Sequence, residues 1–112
     1  MAKGDFVGEF ELYVMLALAH QEPEAYGVTI RREIENRTGR TIAIGAVYAT
    51  LARLEEKGFV RFRISDPEPV QGGRAKKYVS LTRSGARALR HSTAMLARMM
   101  DGLAPELRGG LW

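Results

Sequence analysis

Gly45-Ala46-Val47-Tyr48-Ala49-Thr50-Leu51-Ala52-Arg53-Leu54-Glu55-Glu56-Lys57-Gly58 decides the reading of this chain. Val47, Leu51 and Leu54 fall four and three residues apart, so they share one face of a helix. Gly58 after Lys57 ends that helix: the glycine takes a left-handed cap, and the cation suits the negative end of the helix dipole. The other face carries Gly45, Ala46, Tyr48, Ala49 and Ala52, with Arg53 at its flank. A solvated face is ordinarily richer in charge. A face of small residues with one Tyr and one Arg suits a helix that presses against a groove. Taken alone, the stretch reads equally well as a core helix whose alanines pack on a neighbour.

The following residues weigh against that plainer reading. Phe59-Val60-Arg61-Phe62-Arg63-Ile64 alternates apolar and basic, as a strand does. A polar stretch, Ser65 to Gly73, holds Pro67, Pro69, Gly72 and Gly73, and Arg74 to Leu81 reads as the returning strand. A helix followed by a two-stranded hairpin with a basic tip is the outline of a winged helix-turn-helix. The expected fold is mainly α with a small β-hairpin, with N-terminal and C-terminal helices that dimerise.

The chain has 112 residues, enough for one domain with a single modest core. It has no cysteine, hence no disulfide framework and no thiolate metal site. Met1 to Glu11 does not read as a signal peptide, and Val14 to Ala19 is far too short to span a bilayer. A cytoplasmic protein without membrane attachment is the expectation. The net charge is +4, unevenly spread: residues 1–30 hold one Lys and five acids, residues 31–64 eight bases and four acids, and residues 65–112 the same. Thirteen of the seventeen bases are Arg, which suits recognition of phosphate. A basic body with an acidic front end suggests one surface facing a polyanion.

Phe6 to His20 reads as a first helix, apolar nearly all round, and therefore buried on more than one side. A central core position and a contact with a second copy both account for it. Ala25 to Asn36 reads as the second helix, with Tyr26, Ile30 and Ile34 inward, stopped by Thr38-Gly39. Arg40 to Ile44 links it to the third helix. The last helix starts at the N-cap Thr82 and runs to about Leu103. Leu89, Leu96 and Leu103 repeat every seven residues, with Ser92 and Met99 three after the first two. Such a seam is too short for a free coiled coil but can pair helices already held by a domain. Residues 1–81 thus form the DNA-binding region and 82–112 a dimerising helix and tail, within one compact domain.

Enzymatic chemistry finds no residues to carry it. His20 and His91 lie on different helices, and acids are not grouped at ligand spacing. Gly72-Gly73-Arg74 lacks the Gly-Lys-Ser/Thr ending of a phosphate-binding loop. No nucleophile has a base at hand. No metal and no cofactor are expected.

Four stretches together resemble the PadR family of bacterial transcriptional regulators, in its compact branch with a single C-terminal helix. They are Ala25-Tyr26-Gly27-Val28; Gly45-Ala46-Val47-Tyr48 with Leu51, Arg53-Leu54-Glu55 and Gly58; Gly73-Arg74 with Lys77-Tyr78; and Leu81-Thr82 with Gly85. The likeness covers roughly residues 8–90. It implies a dimeric repressor whose third helix, about residues 45–57, enters the major groove of a double-stranded DNA operator. The basic wing, 61–78, would follow the backbone or minor groove. Some family members release DNA on binding a small hydrophobic effector between subunits; here Phe6, Phe10, Met95 and Met99 could line such a site or simply pack the interface. Two positions depart from the family pattern. Ala43 stands where Ser often precedes the third helix, removing a side-chain cap worth about 1 kcal/mol. Val79 stands where the wing strand usually has a second aromatic.

The candidate DNA-binding residues are Tyr26, Arg40, Ala46, Tyr48, Ala49, Arg53, Arg74, Lys76 and Lys77. Tyr48 is expected to donate to a phosphate or to stack on the second helix. Arg53 could reach a phosphate or a guanine edge. Ala46 and Ala49 can touch thymine methyls but cannot hydrogen-bond bases, so direct readout is thin. Arg31 and Arg32 are secondary phosphate candidates. The candidate dimerisation residues are Phe10, Tyr13, Leu89, Leu96, Met99 and Leu103. The rival is a winged helix that serves only as a protein-interaction module, although three wing cations have no purpose there.

Overall fold

The computed structural model describes residues 7–65 and 76–109. Four helices and one hairpin follow in the order α1 (Glu9–Gln21), α2 (Gly27–Thr38), α3 (Ile44–Glu56), β1 (Val60–Ile64), β2 (Lys77–Leu81) and α4 (Arg83–Met100), closed by a single 3-10 turn at Pro105–Leu107. The expected class, mainly α with a small hairpin, is the one formed.

The hydrophobic α1 is the centre of the domain. Val14, Met15, Ala17 and Leu18 are buried, and α1 packs on α2, α3, β2 and α4. Ile30 and Ile34 of α2, with Val47, Leu51 and Leu54 of α3, close over it to form the core. Each large aliphatic side chain removed from water there contributes about 1.5–3 kcal/mol. α2 begins at Gly27 rather than Ala25, because Tyr26 is extended and acts as N-cap. The Thr29 hydroxyl accepts from the Tyr26 N–H at 3.1 Å and donates to its carbonyl at 3.0 Å. Gly39 ends α2 and Gly58 follows α3, both at positive φ (75° and 78°) that only glycine takes without strain.

The two strands pair antiparallel from Val60 opposite Leu81 to Ile64 opposite Lys77. Val60 and Val79 seal the base of the hairpin against the core. The free edge of β2 is occupied by the α1–α2 connection: the Val79 N–H donates to Ala25 O at 2.8 Å and the Leu81 N–H to Glu22 Oε1 at 2.9 Å. This removes the exposed strand edge that a two-stranded sheet otherwise presents.

α4 is anchored at one end only. The Thr82 hydroxyl accepts from Gly85 N at 3.0 Å and donates to Gly58 O at 2.5 Å, and Thr82 N bonds Phe59 O at 3.0 Å. A Cβ on Gly85 would lie 1.9 Å from Phe59 O, so only glycine permits this approach. The helix ends at Met100, short of the expected Leu103. Asp101 leaves helical geometry and Gly102 takes φ 82°. Leu103 therefore stands outside the helix, and the heptad seam reduces to Leu89, Ser92, Leu96 and Met99. The sevenfold spacing of leucines continued past a glycine stop that the pattern alone does not reveal. Among the described residues, no helix is long and apolar enough to cross a membrane.

Candidate nucleic-acid interface

The third helix buries Val47, Thr50, Leu51 and Leu54 and leaves Gly45, Ala46, Tyr48, Ala49, Ala52 and Arg53 exposed. The small-residue face is thus the free one, and the plainer reading, alanines packed on a neighbour, is excluded within this chain. Ala43 caps α3 without a side-chain hydrogen bond.

Tyr48 stands at one edge of that face. It is 51% exposed, yet its ring lies on the start of α2: a Cβ on Gly27 would come within 2.4 Å of the ring and 2.9 Å of the hydroxyl oxygen. The stacking expectation for Tyr48 therefore holds. Stacking on α2 immobilises the ring, and the exposed side remains open to a ligand. Gly27, read only as part of a motif, turns out to make room for it.

Tyr26, the neighbour of Gly27, continues the surface into the wing. Its ring meets Tyr78 edge-on, centroids 6.0 Å apart, and the Lys76 ammonium lies 5.2 Å from its centre. The Arg63 guanidinium lies 4.9 Å from the Tyr78 ring and donates to Pro23 O at 3.4 Å. Cation–π contacts of this kind hold long side chains in place while their charge still faces water. The start of α2 thus gathers Tyr26, Tyr48 and Tyr78 with two cations. Arg63, absent from the sequence-derived candidates, belongs to this group; its alternation with Phe62 was the available signal.

Lys77 is exposed and lies 4.3 Å from the Phe62 ring, on the core-facing side of the hairpin in register with Ile64. Arg74 lies outside the described residues, as do Gly72 and Gly73. Arg40, in the α2–α3 turn, is exposed, with Nη1 3.9 Å from Glu9 Oε1. Arg53 stands on the opposite edge of α3 from Tyr48 and turns toward α1. Its Nη2 donates to the Thr50 hydroxyl at 3.0 Å and its Nε lies 3.8 Å from Glu11 Oε2. Arg32 is exposed, whereas Arg31 is half-buried.

Glu11 is the one buried acid among the described residues, 8% exposed. It accepts from Gly8 N at 2.9 Å and from Lys57 Nζ at 3.1 Å on each oxygen. Burial pushes its carboxyl up, but the Gly8 N–H, the Lys57 hydrogen bond and charge, and Arg53 outweigh this and hold it below the ordinary 4.5. The sequence reading missed this residue, because an acid within a helical pattern carries no sign of its tertiary partners.

Of the dimerisation candidates, Phe10, Tyr13 and Leu89 are half-buried against the chain's own core. Leu96 and Met99 are 51% and 79% exposed. Among the described residues, no group of three or more His, Cys, Asp or Glu gathers as a metal site would require.

The fold and this surface define a winged helix-turn-helix protein whose third helix is free on a small-residue face beside a cationic hairpin. The sequence profile of the transcriptional regulator PadR-like family matches residues 15–91, and the chain belongs to that family. A PadR family transcription regulator from hypervirulent Clostridium difficile R20291 has a similar fold, with TM-score 0.68 and 24% identity over 83% of this chain and 95% of that one. One from Eggerthella lenta DSM 2243 gives TM-score 0.64 and 28% identity over 83% of this chain and 82% of that one. Bacillus subtilis PadR, solved in complex with operator DNA, gives TM-score 0.62 and 22% identity over 76% of this chain and 46% of that one. No curated protein matches the chain.

Proposed function

We propose that this chain is a cytoplasmic, homodimeric repressor that binds a double-stranded DNA operator. The observation that carries the reading is the free face of α3, bordered by Tyr48 clamped on Gly27 and continued by Tyr26, Tyr78, Arg63 and Lys76. A helix without bulky side chains on its exposed face can enter a major groove closely. Tyr48 then donates its hydroxyl to a phosphate at the groove edge, and Ala46 and Ala49 meet thymine methyls. The wing cations, Lys76, Lys77 and Arg74, and Arg40 in the turn supply phosphate contacts. Because α3 offers few base-edge hydrogen bonds, specificity comes largely from dimer spacing and DNA shape. The family's members are transcriptional regulators, and the operator complex of Bacillus subtilis PadR supports the same use of the fold.

Residues 82–112 serve dimerisation, and 1–81 bind DNA. α4 presents Leu96 and Met99 to water while its first turns are anchored, so a second copy covers them, with Phe10 and Tyr13 of α1 at the margin. A small hydrophobic effector held near that seam would act by binding one dimer geometry better than another.

The test is fluorescence anisotropy on the DNA upstream of this chain's own gene, with unrelated DNA as control, at two salt concentrations. Tight, salt-sensitive binding that prefers the upstream DNA is the expected result. A folded dimer that binds neither DNA at low salt refutes the reading and leaves the interaction module in its place.

A further inference from the structure

Arg53 is the single cation within α3, the helix proposed to face DNA, and it is already held. Its Nε lies 3.8 Å from Glu11 Oε2 on α1. Glu11 cannot swing away, because Gly8 N at 2.9 Å and Lys57 Nζ at 3.1 Å fix its carboxylate. A buried carboxylate of this kind offers a guanidinium what a DNA phosphate offers: negative charge and paired acceptor oxygens. Near the other end of α3, in the preceding turn, Arg40 lies 3.9 Å from Glu9 of α1, an exposed and looser pair. Two cations that border the free face of α3 are thus opposed by two acids from the first turn of α1.

We infer that Glu11 acts as an internal phosphate mimic that restrains Arg53 against α1, so that α3 offers its cation to DNA only when this pair opens. The inference rests on the DNA-binding reading above and adds a positioning residue to it. The Arg53 pair is long and half-exposed, hence weak and exchangeable, whereas the Lys57 contact is short and stays. Arg53 that leaves Glu11 for a phosphate exchanges one anion for another, so indifferent DNA gains little from it. Only a site that engages Arg53 well draws it across. Since specificity is a difference of affinities, Glu11 works by lowering affinity for the wrong DNA.

The experiment compares the intact chain with Glu11→Gln, Arg53→Gln and the double variant, by anisotropy on a mixed-sequence duplex over a salt series, with thermal unfolding alongside. Glu11→Gln keeps an acceptor for Gly8 and Lys57 and is expected to bind that duplex severalfold more tightly. Its log–log salt slope should steepen by about 2, one freed arginine from each half of the dimer. Adding Arg53→Gln should return both to the parent level, and Arg53→Gln alone should change little. A folded Glu11→Gln that binds no more tightly, or a gain that survives loss of Arg53, overturns the inference. If Glu11→Gln does not fold, Arg53→Gln alone decides. A slope flatter by about 2 shows Arg53 already on phosphate and refutes restraint; little change supports it. Absence of DNA binding by the parent chain is separate, and removes the DNA-binding reading together with this one.

Discussion

Gly27 and Gly85 each stand where another atom already occupies the space a side chain would take, but the two obstacles differ. The Tyr48 ring over Gly27 can swing outward, whereas Phe59 O at Gly85 is backbone pinned by Thr82 N. Gly27→Ala is therefore expected to cost about 1–2 kcal/mol and Gly85→Ala about 3 or more, read by denaturant unfolding. Equal costs would mean that the Tyr48 ring is as immovable as backbone. Tyr48→Phe separates stacking from hydrogen bonding. The ring should stay on Gly27, so the melting temperature should hold while DNA affinity falls by about 1 kcal/mol per half-site. A drop in stability with unchanged binding would assign Tyr48 to packing alone. Glu11 gives a pH signature. Its folded carboxyl titrates below the unfolded 4.5, so the unfolded chain takes up that proton first on acidification. The stabilisation is complete above about 4.5 and is lost as pH falls through the lower folded value. A melting-temperature series down to about pH 3 should fall less steeply for Glu11→Gln; parallel curves would show that another group is responsible. Glu33, held low by Arg37, shifts in the same direction, but its partner Arg37 is exposed and the pair is largely screened.

Among the elements, α4 behaves unlike the other helices. It is about 27 Å long, and among its own residues only Gly85 is fully buried. Its apolar line of Leu89, Leu96 and Met99 begins against the core and runs out into water. Met99→Glu at the exposed end should leave the melting of the core almost unchanged and convert a dimer to monomer in sedimentation. Loss of folding without change in mass would place Met99 in the monomer's own packing. The hairpin is the opposite case, short but tied at three levels: ladder bonds to itself, Val79 to Ala25, and Arg63 to Pro23. Those ties allow a two-stranded sheet, marginal alone, to hold Lys76 and Lys77 in fixed places.

At the scale of the whole molecule, the radius of gyration is 15.8 Å and the extents are 55 × 32 × 21 Å. A compact chain of this length would have a radius of about 13 Å. An α4 that is anchored at its first turns and exposed toward Met99 lengthens the molecule in this way. Of the acids in the first thirty residues, Glu9 and Glu11 lie on α1 and Glu22 and Glu24 in the α1–α2 connection. Glu11 is turned from water toward Arg53 of α3 and Lys57 at its C-cap, while the exposed Glu9 lies near Arg40 of the preceding turn.

Periodicity and punctuation carried the architecture. The apolar spacing of α3, the glycine stops at Gly39 and Gly58, the Thr82 cap and the alternation in β1 all act over a few residues, so neighbouring side chains alone determine them. Membership of the family was legible for the same reason, since its motifs sit at those local constraints. What lay beyond the sequence were contacts between elements distant along the chain: Tyr48 on Gly27, Gly85 against Phe59 O, Arg63 over Tyr78 and Glu11 beneath Arg53. The end of α4 was misplaced because a repeat of seven says nothing about Gly102. Sequence alone thus determined which elements form and in what order. Only the tertiary structure decided which face of α3 is free and which cations are already held, because packing and ion pairing depend on proximity in space that no sequence spacing encodes.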